Sequence, residues 1–495
     1  MSSPTESLIL ARDPDLLRPD PRRVIARLFV PGHELPLAHG QSRLTVVLER
    51  ILALSPAEAE VTLDATIASF GHRHADLRGV LAEHFDRVAH RIGAADDLPE
   101  TTRLLVGSYF THEYSIEAAA LFNPSILAHP DQSGVPAGHT RVLLSLRAVG
   151  EGHLSSIEFR TGLVGPDGRL RIDKPPPHVM VGRPQEASFS RHVFHSVLAE
   201  LGDDGEEAAF VLDGLPDPFT ASQLEAAIVT LREHDISGHA TDRTIEHLRW
   251  IASCNYEVGF GADTALAQRV LVPIAPTECN GIEDARFVRF VDDDATVRYY
   301  ATYTAYDGRT VTPQLLCTED FLTFRAAQLT GPAATNKGMA LFPRRINGQF
   351  VALSRWDREN NSITTSADGH HWEDAFTIQT PRQPWELIQI GNCGSPIETE
   401  RGWLVLTHGV GSMRSYGIGV MLLDLEDPTK LIGELADPLI TPTEAERDGY
   451  VPNVVYTCGA LAVGDRLVVP YGSADSSVGS AVVDLPALLD QLTSA

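Results

Sequence analysis

Residues 297–308, VRYYATYTAYDG, carry the pattern that decides the fold class. β-Branched and aromatic residues dominate this short run, and it ends in an Asp-Gly turn, as a strand of a hairpin does. Similar runs recur at 141–149 (RVLLSLRAV), 285–291 (ARFVRFV) and 402–410 (GWLVLTHGV), separated by Gly, Asn and Asp turns. The long helical crossovers that a parallel sheet requires are missing. From about residue 101 onward the sequence therefore predicts a mainly β fold.

The return of these strand groups indicates a five-bladed β-propeller. About 340 residues lie outside the helical segments, and they suit five blades of four strands. One turn supports this interpretation, because SADGHHW at 366–372 has the S-x-D-G-x-x-W form of the Asp-box turn known from sialidase-like propellers. That turn is structural, so we assign it no catalytic role.

Two helical regions accompany the β part. Ser55-Pro56-Ala57-Glu58 is a capping box with proline at the first helical position. Apolar residues then recur at helical spacing at Leu77, Leu81, Phe85, Val88 and Ile92. Further on, Thr220 with Gln223 predicts a helix start inside an insertion at about 195–255. We therefore divide the chain into an N-terminal helical region, 1–100, and a five-bladed catalytic domain, 101–495, that contains this insertion.

Composition limits the partners and the compartment. The formal net charge is −26, which argues against nucleic acid and anionic membranes because both require a basic face. The N-terminal residues lack a secretion signal, and the five cysteines are odd in number and scattered, which indicates reduced thiols. We expect a cytoplasmic protein. The sequence has neither a metal-ligand spacing nor a nucleotide-binding motif, so we expect no metal or organic cofactor.

Polar residues gather at the ends of the predicted strands. They are Asn123, Arg147, Asp284, Arg286, Lys337, Arg355, His408, Tyr416 and Asp475. Taken singly, each has an ordinary structural explanation: Asp284 suits a turn salt bridge to Arg286, and His408 suits a buried position on an apolar strand. Strand ends around a propeller axis converge, however, so the set is a candidate site.

The order of these motifs resembles glycoside hydrolase family 130. The motifs N-P-S, G-I-E-D-x-R, N-K, S-R, T-H-G-V and Y-G-S-A-D follow one another between about residues 120 and 480. Members of that family are five-bladed propellers, mostly inverting phosphorylases of β-mannosides, with some hydrolases. Two positions depart from the family pattern, since Ala285 stands where proline is usual and Gln389 where a lysine is usual.

The resemblance implies roles for the gathered residues. Asp284 would be the proton donor, acting through the 3-hydroxyl of the mannosyl unit on the glycosidic oxygen. The sugar in the −1 subsite would be bound by Asn123, Arg147 and Asp475. Phosphate would be bound by Lys337, Arg355, His408 and Tyr416, with Gln389 at the position of the missing lysine. We interpret Glu283 as a structural residue that orients the turn.

We therefore expect phosphorolysis of a β-mannoside or manno-oligosaccharide by a homo-oligomer, with inorganic phosphate as co-substrate and α-mannose 1-phosphate as product. An inverting hydrolase needs two carboxylates about 6.5–9.5 Å apart, whereas a phosphorylase needs one acid and a basic pocket that positions the anion. Three alternatives stay open: an inverting β-mannosidase of the same family, a non-catalytic sugar-binding propeller, and an arabinanase-type hydrolase.

Overall fold

The computed structural model describes residues 4–31, 42–234 and 239–494. The chain divides into two compact units: one contains residues 1–19, 119–175 and 182–495, and the other contains residues 20–118 and 176–181. We call them the β unit and the helical unit. None of the described helices has the length and apolar character needed to cross a membrane.

The helical unit contains four α-helices and a pair of strands in its described residues. The helices are Arg43–Leu52, Pro56–Phe70, Leu77–Ala89 and Glu100–Tyr109, and the antiparallel strands are Val24–Leu28 and Thr111–Ser115. The predicted capping box forms, since Ser55 Oγ accepts from the N–H of Glu58 and Glu58 accepts from the N–H of Ser55 at 2.8 Å. The apolar face predicted for the third helix is buried in the core of this unit.

The sequence predicts helix from residue 1, but the first α-helix among the described residues begins at Arg43. Ile9–Leu17 and Val24–Leu28 are strands, so the expectation of a helical region over 1–100 is wrong for these residues. Ile9–Leu17 pairs with Ser477–Asp484 from the other end of the chain. The burial of Ile9–Leu17 does not alternate regularly and Pro14 lies within the strand, so the local pattern that marks a strand is absent from the sequence.

The β unit is built around five sheets of four or more antiparallel strands in its described residues, numbered here in chain order with strands in hydrogen-bonded order. Sheet 1 contains Ala120–Ala128, Thr140–Val149, Ser155–Val164 and Arg269–Leu271. Sheet 2 contains Ile282–Val291, Val297–Tyr306, Val311–Thr318, Thr323–Gln328, Tyr256–Gly259 and Arg183–Gln185. Sheet 3 contains Ala340–Leu341, Phe350–Ser354, Asn361–Ser366 and Ala375–Gln379. Sheet 4 contains Gln389–Asn392, Gly402–Val410, Tyr416–Leu423 and Leu431–Glu434, and sheet 5 contains Val455–Tyr456, Arg466–Ser473, Ser477–Asp484 and Ile9–Leu17.

Sheet 5 joins both ends of the chain. Its outer strand, Ile9–Leu17, carries Arg12, whose guanidinium donates to Glu446 Oε2 at 2.6 Å and to Tyr471 Oη at 2.8 Å. Tyr471 in turn donates to Glu446 Oε1 at 2.6 Å. A final helix, Leu485–Thr493, follows the last strand and packs its leucines into the core beneath sheets 4 and 5.

In its described residues, the insertion that the sequence predicts contains four α-helices. They are Arg191–Glu200, Glu206–Asp213, Ala221–His234 and His239–Cys254. The predicted helix start forms, because the N–H of Thr220 donates to Gln223 Oε1 at 2.9 Å and the N–H of Gln223 donates to Thr220 Oγ1 at 3.4 Å. These helices enclose their own apolar cluster, so the insertion has a core separate from those of the sheets.

The Asp-box turn forms between the last two strands of sheet 3. Asp368 Oδ1 accepts from the N–H of His370 at 2.8 Å and of His371 at 3.0 Å, and Trp372 is completely buried. The turn is therefore structural, as the sequence predicts.

Candidate active site

One cavity of about 330 Å³ in the β unit is lined by all nine residues that the resemblance singles out. They are Asn123, Arg147, Asp284, Lys337, Arg355, Gln389, His408, Tyr416 and Asp475. Seven residues without a predicted role line it as well: Arg286, Asn336, Arg358, Arg414, Val451, Val454 and Tyr456. The structure therefore brings residues from these distant strand ends together around one cavity.

Every sheet contributes lining residues to the cavity, and most of them lie on, or directly beside, the first two strands of a sheet, whereas Tyr416 begins the third strand of sheet 4. Sheet 1 gives Asn123 and Arg147, sheet 2 Asp284, sheet 3 Lys337 and Arg355, sheet 4 Gln389 and His408, and sheet 5 Asp475. The cavity therefore depends on the arrangement of all five sheets.

Irregular backbone conformations direct three of the polar side chains into the cavity. Asn123, Asp284 and Asp475 have φ angles of 49°, 54° and 49°, in the left-handed region that Asn and Asp tolerate better than most residues. The first two lie in bulges of their strands, where the pairing register shifts. A bulge redirects a side chain that the regular alternation would send elsewhere. As a result, Asn123 Nδ2 donates to Asp284 Oδ1 at 2.8 Å.

Glu283 holds two of the cationic side chains. Its Oε1 accepts from Arg147 Nη2 at 2.7 Å, and its Oε2 contacts Lys337 Nζ. Arg147 Nη1 also lies 3.5 Å from Asp284 Oδ1. Glu283 is buried, so this ion pair with Arg147 is shielded from water. The acid interpreted as a turn residue thus fixes cations from sheets 1 and 3.

The two carboxyl groups of the cavity differ in acidity. Burial opposes ionisation of Asp284, but the charges of Arg147 and Arg286 outweigh it, so the pKa of Asp284 lies below its ordinary value. Burial and the repulsion of Asp284 raise the pKa of Asp475 to about 6. Asp284 is therefore the first of the two to ionise, and its charge keeps the proton on Asp475 to higher pH.

Arg286 is a structural centre of the cavity. Its guanidinium donates to Cys393 O at 2.8 Å, to Tyr456 Oη at 2.8 Å and to Asp284 O at 2.9 Å. The turn salt bridge considered for Asp284 is not what forms, since Arg286 bonds the main-chain oxygen. The Asp284 carboxylate is left to Asn123 and Arg147.

Arg355 and His408 form the other polar part of the cavity. Arg355 Nε and His408 Nδ1 are buried and have no hydrogen-bond partner within the described part of the chain. Burial and the charge of Arg355 hold the pKa of His408 well below its ordinary value, so its ring is neutral at physiological pH. Tyr416 stacks parallel to it with ring centroids 6.0 Å apart. A buried polar atom without a partner carries a large penalty, which a bound ligand would relieve.

Gly391 allows these two side chains to approach. A Cβ atom at this position would lie 2.3 Å from Arg355 Nε and 2.7 Å from His408 Cε1. Both distances are shorter than real Cβ contacts, so any other residue here would displace the side chains of Arg355 and His408. The sequence prediction missed this residue, although it follows Gln389 closely in the I-G-N motif of strand Gln389–Asn392.

Sequence reasoning also missed Arg358, Arg414, Asn336 and Tyr456 as lining residues. Asn336 and Arg358 lie close to predicted residues in sequence, and that proximity is the signal that could have found them. Tyr456 had no such signal. Its position follows from its hydrogen bond with Arg286 across sheets 2 and 5.

A larger cavity, of about 480 Å³, lies between the helical insertion and sheet 2. Its charged side chains satisfy one another, since Arg325 pairs with Glu257 at 2.7 Å and Arg298 with Glu319 at 3.4 Å. It contains none of the predicted site residues, so we place the chemistry in the smaller cavity. Among residues 4–31, 42–234 and 239–494 we find no group of three His, Cys, Asp or Glu residues arranged to hold a metal ion.

Comparison with known proteins identifies the family. A family model described as beta-1,4-mannooligosaccharide phosphorylase matches residues 261–494. A beta-1,2-mannobiose phosphorylase from a Thermoanaerobacter species is 34% identical over 252 residues, which cover 49% of this chain and 81% of the relative. A beta-1,4-mannooligosaccharide phosphorylase from Ruminococcus albus is 31% identical over 219 residues, which cover 42% of this chain and 64% of the relative.

Solved structures include the beta-1,2-mannobiose phosphorylase of Listeria innocua in complex with beta-1,2-mannobiose. It is 21% identical, covers 77% of this chain and 94% of its own, and has a TM-score of 0.45. The sequence matches carry the assignment, because the Thermoanaerobacter relative exceeds 30% identity over most of its length. The chain is an enzyme and belongs to glycoside hydrolase family 130.

Proposed function

We propose that the chain is an inverting phosphorylase that cleaves a β-mannoside or manno-oligosaccharide with inorganic phosphate and releases α-mannose 1-phosphate. The observation that carries this proposal is the presence, in one cavity, of the Asp284 carboxylate and a buried guanidinium, Arg355, that has unsatisfied hydrogen-bonding capacity. Phosphorolysis needs one acid and a cationic pocket for the anion. The relatives' names support the same activity.

We also propose that the five sheets form a five-bladed β-propeller around this cavity. Two features support it: every sheet contributes lining residues from or beside its first two strands, and Ile9–Leu17 completes the last sheet from the start of the chain. Joining both chain ends in one sheet would close a ring and leave fewer free sheet edges. In this arrangement the helices of the insertion are additions to the catalytic domain.

In the proposed sugar subsite, Asn123, Arg147 and Asp475 bind the mannosyl unit, and Asp284 donates the proton. A phosphate oxygen forms a bond to the anomeric carbon from the face opposite the leaving group, and the glycosidic bond breaks. The leaving oxygen takes the proton of Asp284 through the 3-hydroxyl of the mannosyl unit. The hydrogen phosphate loses its own proton in forming the ester, and that proton restores Asp284, so charge and atoms balance.

In the proposed phosphate subsite, Lys337, Arg355, His408 and Tyr416 bind the anion, with Gln389 beside them. Arg355 offers a planar set of donors that matches phosphate oxygens. A neutral His408 donates one hydrogen bond without adding charge. No further cofactor is needed, because phosphate is the nucleophile.

The low pKa of Asp284 fits this mechanism when phosphate is bound. In the empty cavity Arg147 and Arg286 keep the carboxyl ionised. A phosphate dianion beside Lys337 and Arg355 places negative charge near Asp284, and negative charge raises the pKa of a neighbouring acid. Phosphate binding would therefore favour the protonated form that donates.

A hydrolase is the second candidate, favoured by one observation. Asp475 lines the same cavity and has a pKa of about 6, so it is largely ionised at neutral pH and is available as the base of an inverting hydrolase. Its placement beside Arg147 and Asp284 is equally suited to holding sugar hydroxyls.

The test is a screen of mannobiose isomers with and without inorganic phosphate, followed by an assay of mannose 1-phosphate. We expect mannose 1-phosphate to form in proportion to substrate consumed, and no turnover without phosphate. Fast release of free mannose that does not respond to phosphate would contradict the phosphorylase and support Asp475 as a base.

A further inference from the structure

The turn that follows Arg355 presents a second guanidinium to the same cavity. Arg358 lines this cavity together with Arg355, and its side chain is open to solvent. Its N–H donates to Arg355 O at 2.9 Å, so the two arginines are the ends of one tight turn. The family resemblance gives Arg358 no role.

This turn is held by hydrogen bonds between its own residues and by one hydrogen bond to sheet 4. Asp357 Oδ1 accepts from the N–H groups of Glu359 and Asn360, each at 3.0 Å. The main-chain oxygen of Glu359 accepts from the N–H of Ile390 at 3.0 Å. Arg358 is therefore held beside the strand that carries Gln389, the uncharged residue of the proposed phosphate subsite.

The backbone of Arg358 is unusual for a residue with a side chain. Its φ angle is 69°, a left-handed conformation that favours glycine. Residues in such conformations cluster at functional sites, where the strain serves to position a group. Arg358 adopts this conformation within a turn whose two arginines line one cavity.

The other cations of the cavity have acidic neighbours. Arg147 and Lys337 both pair with Glu283. The charge of Arg414 partly counters the rise in the pKa of Asp475 that burial and Asp284 cause, so Arg414 has an acidic neighbour as well. Across residues 4–31, 42–234 and 239–494, neither Arg355 nor Arg358 forms an ion pair with a carboxylate. Both guanidinium groups are therefore available to an incoming anion, whereas the charge of Arg414 acts on Asp475.

We infer that Arg358 binds the phosphate co-substrate together with Arg355 and supplies, from the neighbouring turn, the positive charge that Gln389 lacks. This inference rests on the proposed phosphorylase activity. Two guanidinium groups on one turn can each donate a pair of hydrogen bonds to the phosphate oxygens. Because Arg358 is open to solvent, it also meets the anion first as it enters.

The test compares Arg358→Gln, Arg358→Lys and wild type in initial rates against phosphate concentration at saturating mannoside. We expect Arg358→Gln to raise the KM for phosphate about 10-fold or more, as the loss of a charge-assisted contact does. The KM for mannoside at saturating phosphate should stay within about twofold. Arg358→Lys should recover part of the phosphate affinity, since it keeps the charge but not the paired donors.

Two matched variants distinguish a direct contact between Arg358 and phosphate from a general effect of positive charge in the cavity. Arg382→Gln removes an exposed arginine outside the cavity and should leave both KM values unchanged. Arg414→Gln removes a cavity arginine on the Asp475 side and should change the KM for phosphate much less than Arg358→Gln does. Equal increases in the KM for phosphate in Arg358→Gln and Arg414→Gln would refute the proposed contact between Arg358 and phosphate.

A binding measurement without turnover completes the test. In an Asp284→Asn background, calorimetric titration with inorganic phosphate should show weaker binding when Arg358 is also replaced. Arg358→Gly should lose the same affinity while its thermal midpoint stays at or above that of Arg358→Gln, because glycine removes the backbone strain. If the wild type depends on phosphate and Arg358→Gln binds phosphate as well as the wild type does, the role of Arg358 is refuted and the phosphorylase proposal stands. A wild type indifferent to phosphate would refute the phosphorylase itself.

Discussion

Replacing Asp475 by asparagine should stabilise the folded enzyme at neutral pH while it removes activity. Burial and the repulsion of Asp284 raise the pKa of Asp475 to about 6, from an ordinary value of 3.8. A raised pKa means that the folded state disfavours the charged form relative to the unfolded chain. An asparagine side chain carries no charge, so the variant avoids this penalty and keeps the shape of the original side chain.

The magnitude follows from the same two pKa values. A difference of about 2 between 3.8 and 6 corresponds to about 3 kcal/mol at a pH above both. Below about pH 4 both the folded and the unfolded chain bind the proton, and the penalty is absent. As pH rises from about 4 to about 6 the folded state holds more protons than the unfolded state, so stability falls through this window. We expect Asp475→Asn to gain about 1–3 kcal/mol at about pH 7.5 and little at about pH 4.

The assay is urea unfolding of wild type and variant at both pH values, with phosphorolysis measured in parallel. Asp203→Asn is the matched control, because hydrogen bonds from Arg243 and His247 outweigh burial and lower the pKa of that carboxyl. The same substitution there should destabilise the protein at neutral pH. Destabilisation by Asp475→Asn at neutral pH, equal to that of the control, would refute the electrostatic reasoning for the cavity.

Three further predictions concern single contacts. Asp284→Asn should fold normally and lose at least about 10²-fold in turnover of an ordinary mannoside, the lower range for a general acid; near wild-type turnover would remove Asp284 from that role. Arg355→Ala and His408→Ala should each raise the KM for phosphate about 10- to 150-fold and affect the mannoside far less, which initial rates against each substrate will measure. Arg12→Met should lower the free energy of unfolding by about 1–3 kcal/mol, because it leaves the buried Glu446 without its cation. Arg18→Met, which breaks an exposed pair with Asp15, should leave stability unchanged in the same urea titration.

The sequence predicted those parts of the fold that depend on local pattern. The capping box at Ser55 and the helix start at Thr220 need only residues three positions apart, and both form. The Asp-box turn at 366–372 likewise closes on its own side chains. The strand Ile9–Leu17 was missed because its apolar residues do not alternate regularly and its partner lies at the opposite end of the chain, where no nearby turn marks the pairing.

The same distinction applies to the cavity. Motif order was enough to collect its nine candidate residues, because sequence motifs mark strand ends. It did not predict how those residues pair. The ion pairs of Glu283 with Arg147 and Lys337 join three sheets, and the need for glycine at position 391 arises from two side chains that come from sheets 3 and 4. Both depend on distances that exist only once the sheets are assembled.

The adjacent acids Glu283 and Asp284 have different roles, and a bulge in their strand makes this possible. The bulge lies between Glu283 and Arg286. In a regular strand, neighbouring side chains point to opposite faces. Here the register shifts after Glu283, and Asp284 has a φ of 54°, so both carboxylates face Arg147. Glu283 takes the strong hydrogen bond from Arg147 at 2.7 Å, and Asp284 remains 3.5 Å from it. The guanidinium is thereby anchored by Glu283, while Asp284 keeps its hydrogen bond from Asn123 and only a longer contact with Arg147, which phosphate and substrate can offset. A single acid in this place would have to hold the arginine and release a proton at once.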